Sequence, residues 1–134
     1  MIKDSLRRQP NLRHTFVYSN KTWQDVIFRS NLAVLRRANP DRLRVIHMLT
    51  RETAVSLEDE DVRSGRVTLE LLGSILEREP QSLVYSCGPA ISVWDKRAHA
   101  AKGTTPPPRF LETVQSYLAT LGMPRDRIKI EAFG

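Results

Sequence analysis

Three short stretches hold the residues best suited to chemistry. The first, "LVYSCGPAI" at 83–91, contains the only cysteine of the chain, Cys87. Gly88 after it would let backbone approach a ligand closely. Pro89 suits the first turn of a helix, where its missing N–H costs nothing; plain strand-to-helix turn chemistry would use the same pair. Cys87 itself reads either as a site residue or as a buried thiol acting as a small hydrophobe, and no base stands beside it to make it a nucleophile. The second stretch is Thr50–Arg51, with Arg66 further on. A hydroxyl and guanidinium groups at a strand end suit a phosphate through charge-assisted forked hydrogen bonds. The same arginines could instead pair with the acidic run at 58–61. The third is Asn20–Lys21, where Asn20 could contact a ribose or phosphate, followed by Asp25, which reads better as a helix cap. His14, His47 and His99 fall on different elements, with neither metal-ligand spacing nor a Ser/His/Asp arrangement. A single cysteine excludes an internal disulfide and a cysteine metal cluster.

The pattern around these stretches predicts the elements that must position them. Helix is expected at 2–9, closed by Pro10 and Asn11, and strand at 14–19. Thr22 with Asp25 fits a capping box. Trp23, Val26, Ile27, Leu32 and Leu35 then supply one apolar helical face ending near Ala38. Strand follows at 43–50, a polar acidic loop at 51–66, helix at 68–79 and strand at 82–87. Helix is expected again at 90–102 and 109–121, the second with Gly122 as its natural stop, and a last strand at 127–133. Strands separated by helices argue a parallel α/β sheet covered on both faces. Ligands of such sheets bind outside the C-terminal strand ends. That rule gathers Asn20, Thr50–Arg51, Cys87–Gly88–Pro89 and the end of the chain.

The 134 residues suffice for one domain, and 40% apolar with 27% charged content is ordinary for a globular chain. No window approaches a membrane span, and residues 1–10 lack a secretion leader, so a cytoplasmic location is expected. The net charge of +6 is uneven. Residues 1–51 carry 11 Lys/Arg against 3 Asp/Glu, whereas 52–80 carry 3 against 8. A basic half admits a phosphate-bearing ligand, an acidic protein or nucleic acid. No nucleic-acid motif accompanies the charge, which argues against the last. Neither G-x-G-x-x-G nor a P-loop occurs.

Together "VYSCGPAISVW", "NKTWQDVIFRSNL", "DRLRVIHMLTRE…SGRVTLELL" and the closing "RIKIEAFG" resemble the pyridine-nucleotide domain of the ferredoxin–NADP reductase superfamily. They are most similar to that of bacterial flavin reductases feeding oxygenases. The resemblance covers essentially the whole chain. It implies a three-layer Rossmann-like parallel sheet and binding of NADPH or NADH. It implies hydride transfer to FAD or FMN held by another domain, then electron transfer to an iron–sulfur partner. It places Cys87 beside the nicotinamide as a positioning wall, Thr50, Arg51 and Arg66 around an adenosine 2′-phosphate, and Phe133 near a ring of flavin or nicotinamide.

Against the family pattern, residues 1–134 form an incomplete nucleotide domain. The flavin barrel, the first (central) strand and the pyrophosphate turn are not found, and residues 95–109 lengthen the segment after the Cys-Gly-Pro turn. The isolated chain is therefore expected to be inactive alone, its partner flavin domain lying elsewhere. The alternatives are a non-catalytic interaction module, such as a homodimer through the broken sheet, and, more weakly, a basic nucleic-acid binder.

Overall fold

A computed structural model describes residues 1–53 and 59–133. Leu43–Leu49 (β2) is an almost continuous apolar run, and it is buried nearly throughout, as a strand flanked on both sides should be. It pairs in parallel with His14–Asn20 (β1) from His14↔Leu43 to Asn20↔Leu49. On its other side it pairs in parallel with Asp61–Ser64 (β3). The order is β1-β2-β3. The helix Ile2–Arg8 (α1) inserts Leu6 against Leu43 and Val45, with Ile2, Phe16, Leu32 and Leu35 around them. Its last carbonyls have no helical partner, and the Arg42 guanidinium takes them up. Arg42 donates to Leu6 O at 2.8 Å, Gln9 O at 3.0 Å and Leu12 O at 3.3 Å. These elements make up the first compact unit, Met1–Val67.

Two expectations fail in this unit. The segment 51–66 contains β3, which its polar composition hid, because only Val62 among Asp61–Ser64 is apolar. The helix expected from Thr22 is broken in two. Asp25 accepts from the Thr22 N–H and hydroxyl, and Glu52 takes the Trp23 N–H at 2.6 Å. These bonds close a single 3₁₀ turn at Trp23–Asp25. The run Val26–Ile27–Phe28 has low helix propensity, and the α-helix starts only at Arg29–Ala38 (α2). Residue 58 of the acidic run lies outside the described residues.

The second unit runs from Thr68 to Gly134. Val84–Pro89 (β4) and Ile128–Phe133 (β5) form a two-stranded parallel sheet, from Val84↔Ile128 to Pro89↔Phe133. Phe110–Thr120 (α5) buries Leu111, Val114 and Leu118, and its Phe110 ring abuts Gly88. Leu69–Arg78 (α3) is capped by Thr68 Oγ1, which accepts from Leu71 N–H at 3.1 Å. Val93–Ala101 (α4) is capped in the same way by Ser92, which accepts from Asp95 N–H at 3.0 Å. Gly122 ends α5 at φ +76°, the left-handed stop its position predicts. Arg127 repeats the clamp of Arg42, donating to Pro80 O at 2.6 Å and Ser82 O at 2.9 Å.

Here the Cys-Gly-Pro stretch departs from expectation. The strand does not stop at Cys87 but runs on through Pro89, and α4 starts at Val93 with Ser92 as its cap. Pro89 is thus the last residue of a strand, a position that needs little from a backbone N–H, and not the first of a helix.

The architecture is α/β with parallel strands. Among the described residues no helix is long and apolar enough to cross a membrane.

Candidate functional site

The first unit brings Asn20, Thr50, Arg51 and Arg66 to the C-terminal ends of its strands. The chains leaving β1 and β2 stay side by side: Thr50 N–H donates to Asn20 O, and Arg51 N–H to Lys21 O, both at 2.9 Å. Gly65 N–H donates to Leu49 O at 2.8 Å, so Arg66 leaves β3 at the same end. Gly65 takes φ +105°, a conformation other residues rarely adopt. Thr50, Arg51 and Arg66 are exposed. Two of the acidic neighbours that could have claimed the arginines, Glu60 and Asp61, face other cations. Asp61 holds Arg63 by two bonds, at 2.9 and 3.2 Å, and lies 3.7 Å from Arg44; Glu60 faces Arg36 at 3.9 Å.

Asn20 adds a second observation. Its Nδ2 is buried and has no hydrogen-bond partner, an arrangement native proteins seldom leave unresolved. A nucleotide's ribose hydroxyls and phosphates are acceptors, so an amide donor at a strand end beside a threonine and a pair of arginines fits that donor requirement. Asp25, by contrast, is occupied as a cap.

The second unit brings together Cys87, Gly88, Pro89 and Phe133. Side chains alternate along β4, so Tyr85, Cys87 and Pro89 share one exposed face while Ser86 and Gly88 are buried on the other. Exposure of Cys87 removes the reading of a buried thiol. Phe133, register partner of Pro89, is 59% exposed and is no core aromatic.

Sequence reasoning missed Glu112. Its carboxylate accepts from Arg109 N–H at 3.0 Å and from Ile91 N–H at 2.9 Å, and so fixes the backbone that follows Pro89. Burial alone would raise its pKa. The N–H donors of Ile91, Glu112 itself and Arg109, with the charge of Lys96, outweigh burial and hold it below the ordinary carboxylate value. An acidic residue in the first turn of a helix is legible as a cap; its reach to Ile91 is not.

Also unforeseen is the surrounding of His47, which is 1% exposed. Trp23 meets its ring edge-on at 5.0 Å, Glu60 stands 3.9 Å from Nε2, and Nδ1 has no partner. Burial lowers its pKa, with Glu60 and Asp61 opposing and Arg36 adding to the effect. Its neighbours are packing groups and no ligand set. Among the described residues no cluster of His, Cys, Asp and Glu could hold a metal ion.

Comparison with known proteins points the same way. The oxidoreductase NAD-binding domain family matches residues 1–93. One component of the 1,2-phenylacetyl-CoA epoxidase of Escherichia coli (strain K12) is 28% identical over 99% of this chain. The ferredoxin reductase component of the 3-ketosteroid-9-alpha-monooxygenase of Rhodococcus rhodochrous is 30% identical over 87%. Flavohemoprotein A of Dictyostelium discoideum is 24% identical over the full chain. The chain spans only 32%, 25% and 26% of the lengths of these relatives. No solved structure matches it significantly. With parallel strands, donors gathered at their C-terminal ends and a family match over residues 1–93, the chain belongs to the oxidoreductase NAD-binding domain family of the ferredoxin-reductase superfamily.

Proposed function

We propose that the chain is the NAD(P)H-binding portion of a flavin-dependent reductase that passes electrons on to an iron–sulfur partner. When bound, the nicotinamide supplies the hydride and the flavin divides its two electrons into single steps. This chain's residues bind and orient. Asn20 and Thr50 hold the adenosine side, and Arg51 with Arg66 grips a 2′-phosphate, favouring NADPH over NADH. Cys87 walls the nicotinamide and keeps water from it, Gly88 and Pro89 shape that wall, and Phe133 faces a ring of the flavin or nicotinamide. The names of the epoxidase and of the ferredoxin reductase component support an oxygenase-linked partner.

Two sheet edges support the reading that this is one piece of a larger reductase. Among the described residues β1 is paired on one side only, and so is β4; each would accept a further strand.

The buried, unpartnered Nδ2 of Asn20 carries the proposal. An unmet buried donor costs ~1–3 kcal/mol, a cost that an acceptor on a bound nucleotide would offset. The test is titration of the 134-residue chain with adenosine 2′,5′-bisphosphate, a probe confined to the first unit's residues. Asn20→Ala should weaken binding about tenfold without lowering the unfolding midpoint. Equal binding by the variant and the parent chain, or no binding by either, would sink the assignment.

A further inference from the structure

We propose that β5 is a self-pairing edge, joining antiparallel to the β5 of a second copy of this chain about a two-fold axis at Ile130. Among the described residues the strand pairs with β4 on one side only. From Lys129 to Phe133 every residue is exposed, Ile130 at 44%. An exposed edge is a template for pairing, which charged side chains and proline blunt against most partners; the charges of β5 are of opposite sign and so can complement a second copy of the same strand. The strand carries one charge of each sign, Lys129 and Glu131, flanking a single apolar residue.

That arrangement selects both the partner and the register. With the axis at Ile130, Lys129 stands opposite the partner's Glu131, and the same pair recurs by symmetry. Ile130 meets its own copy and Ile128 meets the partner's Ala132. Moving the axis to residue 129 or 131 sets lysine against lysine or glutamate against glutamate, which is destabilising across a strand pair. Side chains alternate, so the charged pair lies on the face of Tyr85 and Cys87. The Ile130 pair lies on the face where Gly88 meets Phe110. The product is a closed two-fold dimer with one sheet in the order β4-β5-β5-β4. It requires no nucleotide, and it is argued from the strand edge and its charges alone, not from the binding proposed above.

Sedimentation velocity on the full chain, from about 10 μM to about 1 mM, the range of weak complexes, tests this. A reversible dimer is expected in the absence of nucleotide. Lys129→Glu and Glu131→Lys should each weaken association about tenfold or more, and the double exchange should restore it. A chain that stays monomeric throughout, or a Lys129→Glu variant that associates like the parent, overturns the proposal. Should a single charge variant fail to fold, cross-linking decides. In a Cys87→Ser background, oxidation by dioxygen with a copper(II) catalyst should join Ile130→Cys to its copy by an intermolecular disulfide, because opposed Cβ atoms in a strand pair come within ~4.5 Å, the outer limit of disulfide geometry. Absence of that disulfide, or equally fast cross-linking of Lys129→Cys, also overturns it.

Discussion

The Phe110 ring abuts Gly88 so closely that a Cβ at that position would overlap Cδ1 and stand 2.9 Å from Cε1. Glycine is required here by packing and not by a positive φ, since Gly88 is absent from the left-handed positions. Gly88→Ala should therefore act as overpacking, costing ~1–3 kcal/mol, and lower the thermal midpoint. Because the obstacle is one ring, Phe110→Ala in the same chain should reduce the additional loss caused by Gly88→Ala. A midpoint unchanged by Gly88→Ala alone would refute the contact.

Glu112 ties α5 to the backbone after Pro89, and its carboxyl titrates below the ordinary value. A carboxyl with a depressed folded pKa contributes stability above its unfolded value near 4.5. That contribution is lost as pH falls through the folded value. Glu112→Gln should cost about 1 kcal/mol at pH 7 through weaker hydrogen bonds. The gap between variant and parent should narrow toward pH 3. Urea unfolding across that range measures it, and a gap that widens on acidification would contradict the assignment.

What could be read from the sequence depended on whether the deciding partner was local. The apolar run of β2, the period of α5 and the stop at Gly122 need only neighbours in sequence, and all three elements formed where expected. β3 was hidden because its place is set by pairing with β2, while its composition, Asp-Val-Arg-Ser, is that of a loop. The break before α2 depends on Glu52 reaching the Trp23 N–H across 29 positions. Nothing local marks Arg42 or Arg127, yet each takes up carbonyls more than 29 positions away. In the candidate site the strand-end rule put Asn20, Thr50 and Arg51 at the ends of β1 and β2, where the structure has them. The unmet donor of Asn20 and the anchoring by Glu112 became visible only in three dimensions.

His47 should make the fold acid-sensitive. Burial lowers its pKa from 6.5, so the unfolded chain binds its proton more readily than the folded one. Stability is then full above about pH 6.5 and declines as pH falls below it. His14, also lowered by burial and by Arg42, acts in the same direction. His47→Leu should flatten the loss between pH 7 and pH 5 without abolishing it, His14 supplying the remainder. Trp23 lies against His47, and Trp94→Phe leaves it the sole tryptophan, so its fluorescence can follow the transition. An unaltered slope in His47→Leu would assign the acid sensitivity to other groups.

On the proposed assignment, Arg51 should separate the two nucleotides. Its backbone N–H is committed to Lys21 O, while the exposed guanidinium stands at the end of β2 beside Thr50. A hydrogen bond to a charged group is worth ~1.5–3 kcal/mol, and every 1.4 kcal/mol is tenfold in affinity. Arg51→Ala should thus weaken adenosine 2′,5′-bisphosphate by roughly 10- to 100-fold and leave 5′-AMP nearly unchanged. Arg51→Lys should recover only part of the loss, because an ammonium keeps the charge without the fork. Raising the salt should erode the parent chain's preference for the 2′-phosphate, since an exposed contact is screened. If Arg51→Ala weakens both ligands equally, Arg51 grips something common to them. The 2′-phosphate would then belong to Arg66, and the same titration on Arg66→Ala would show it.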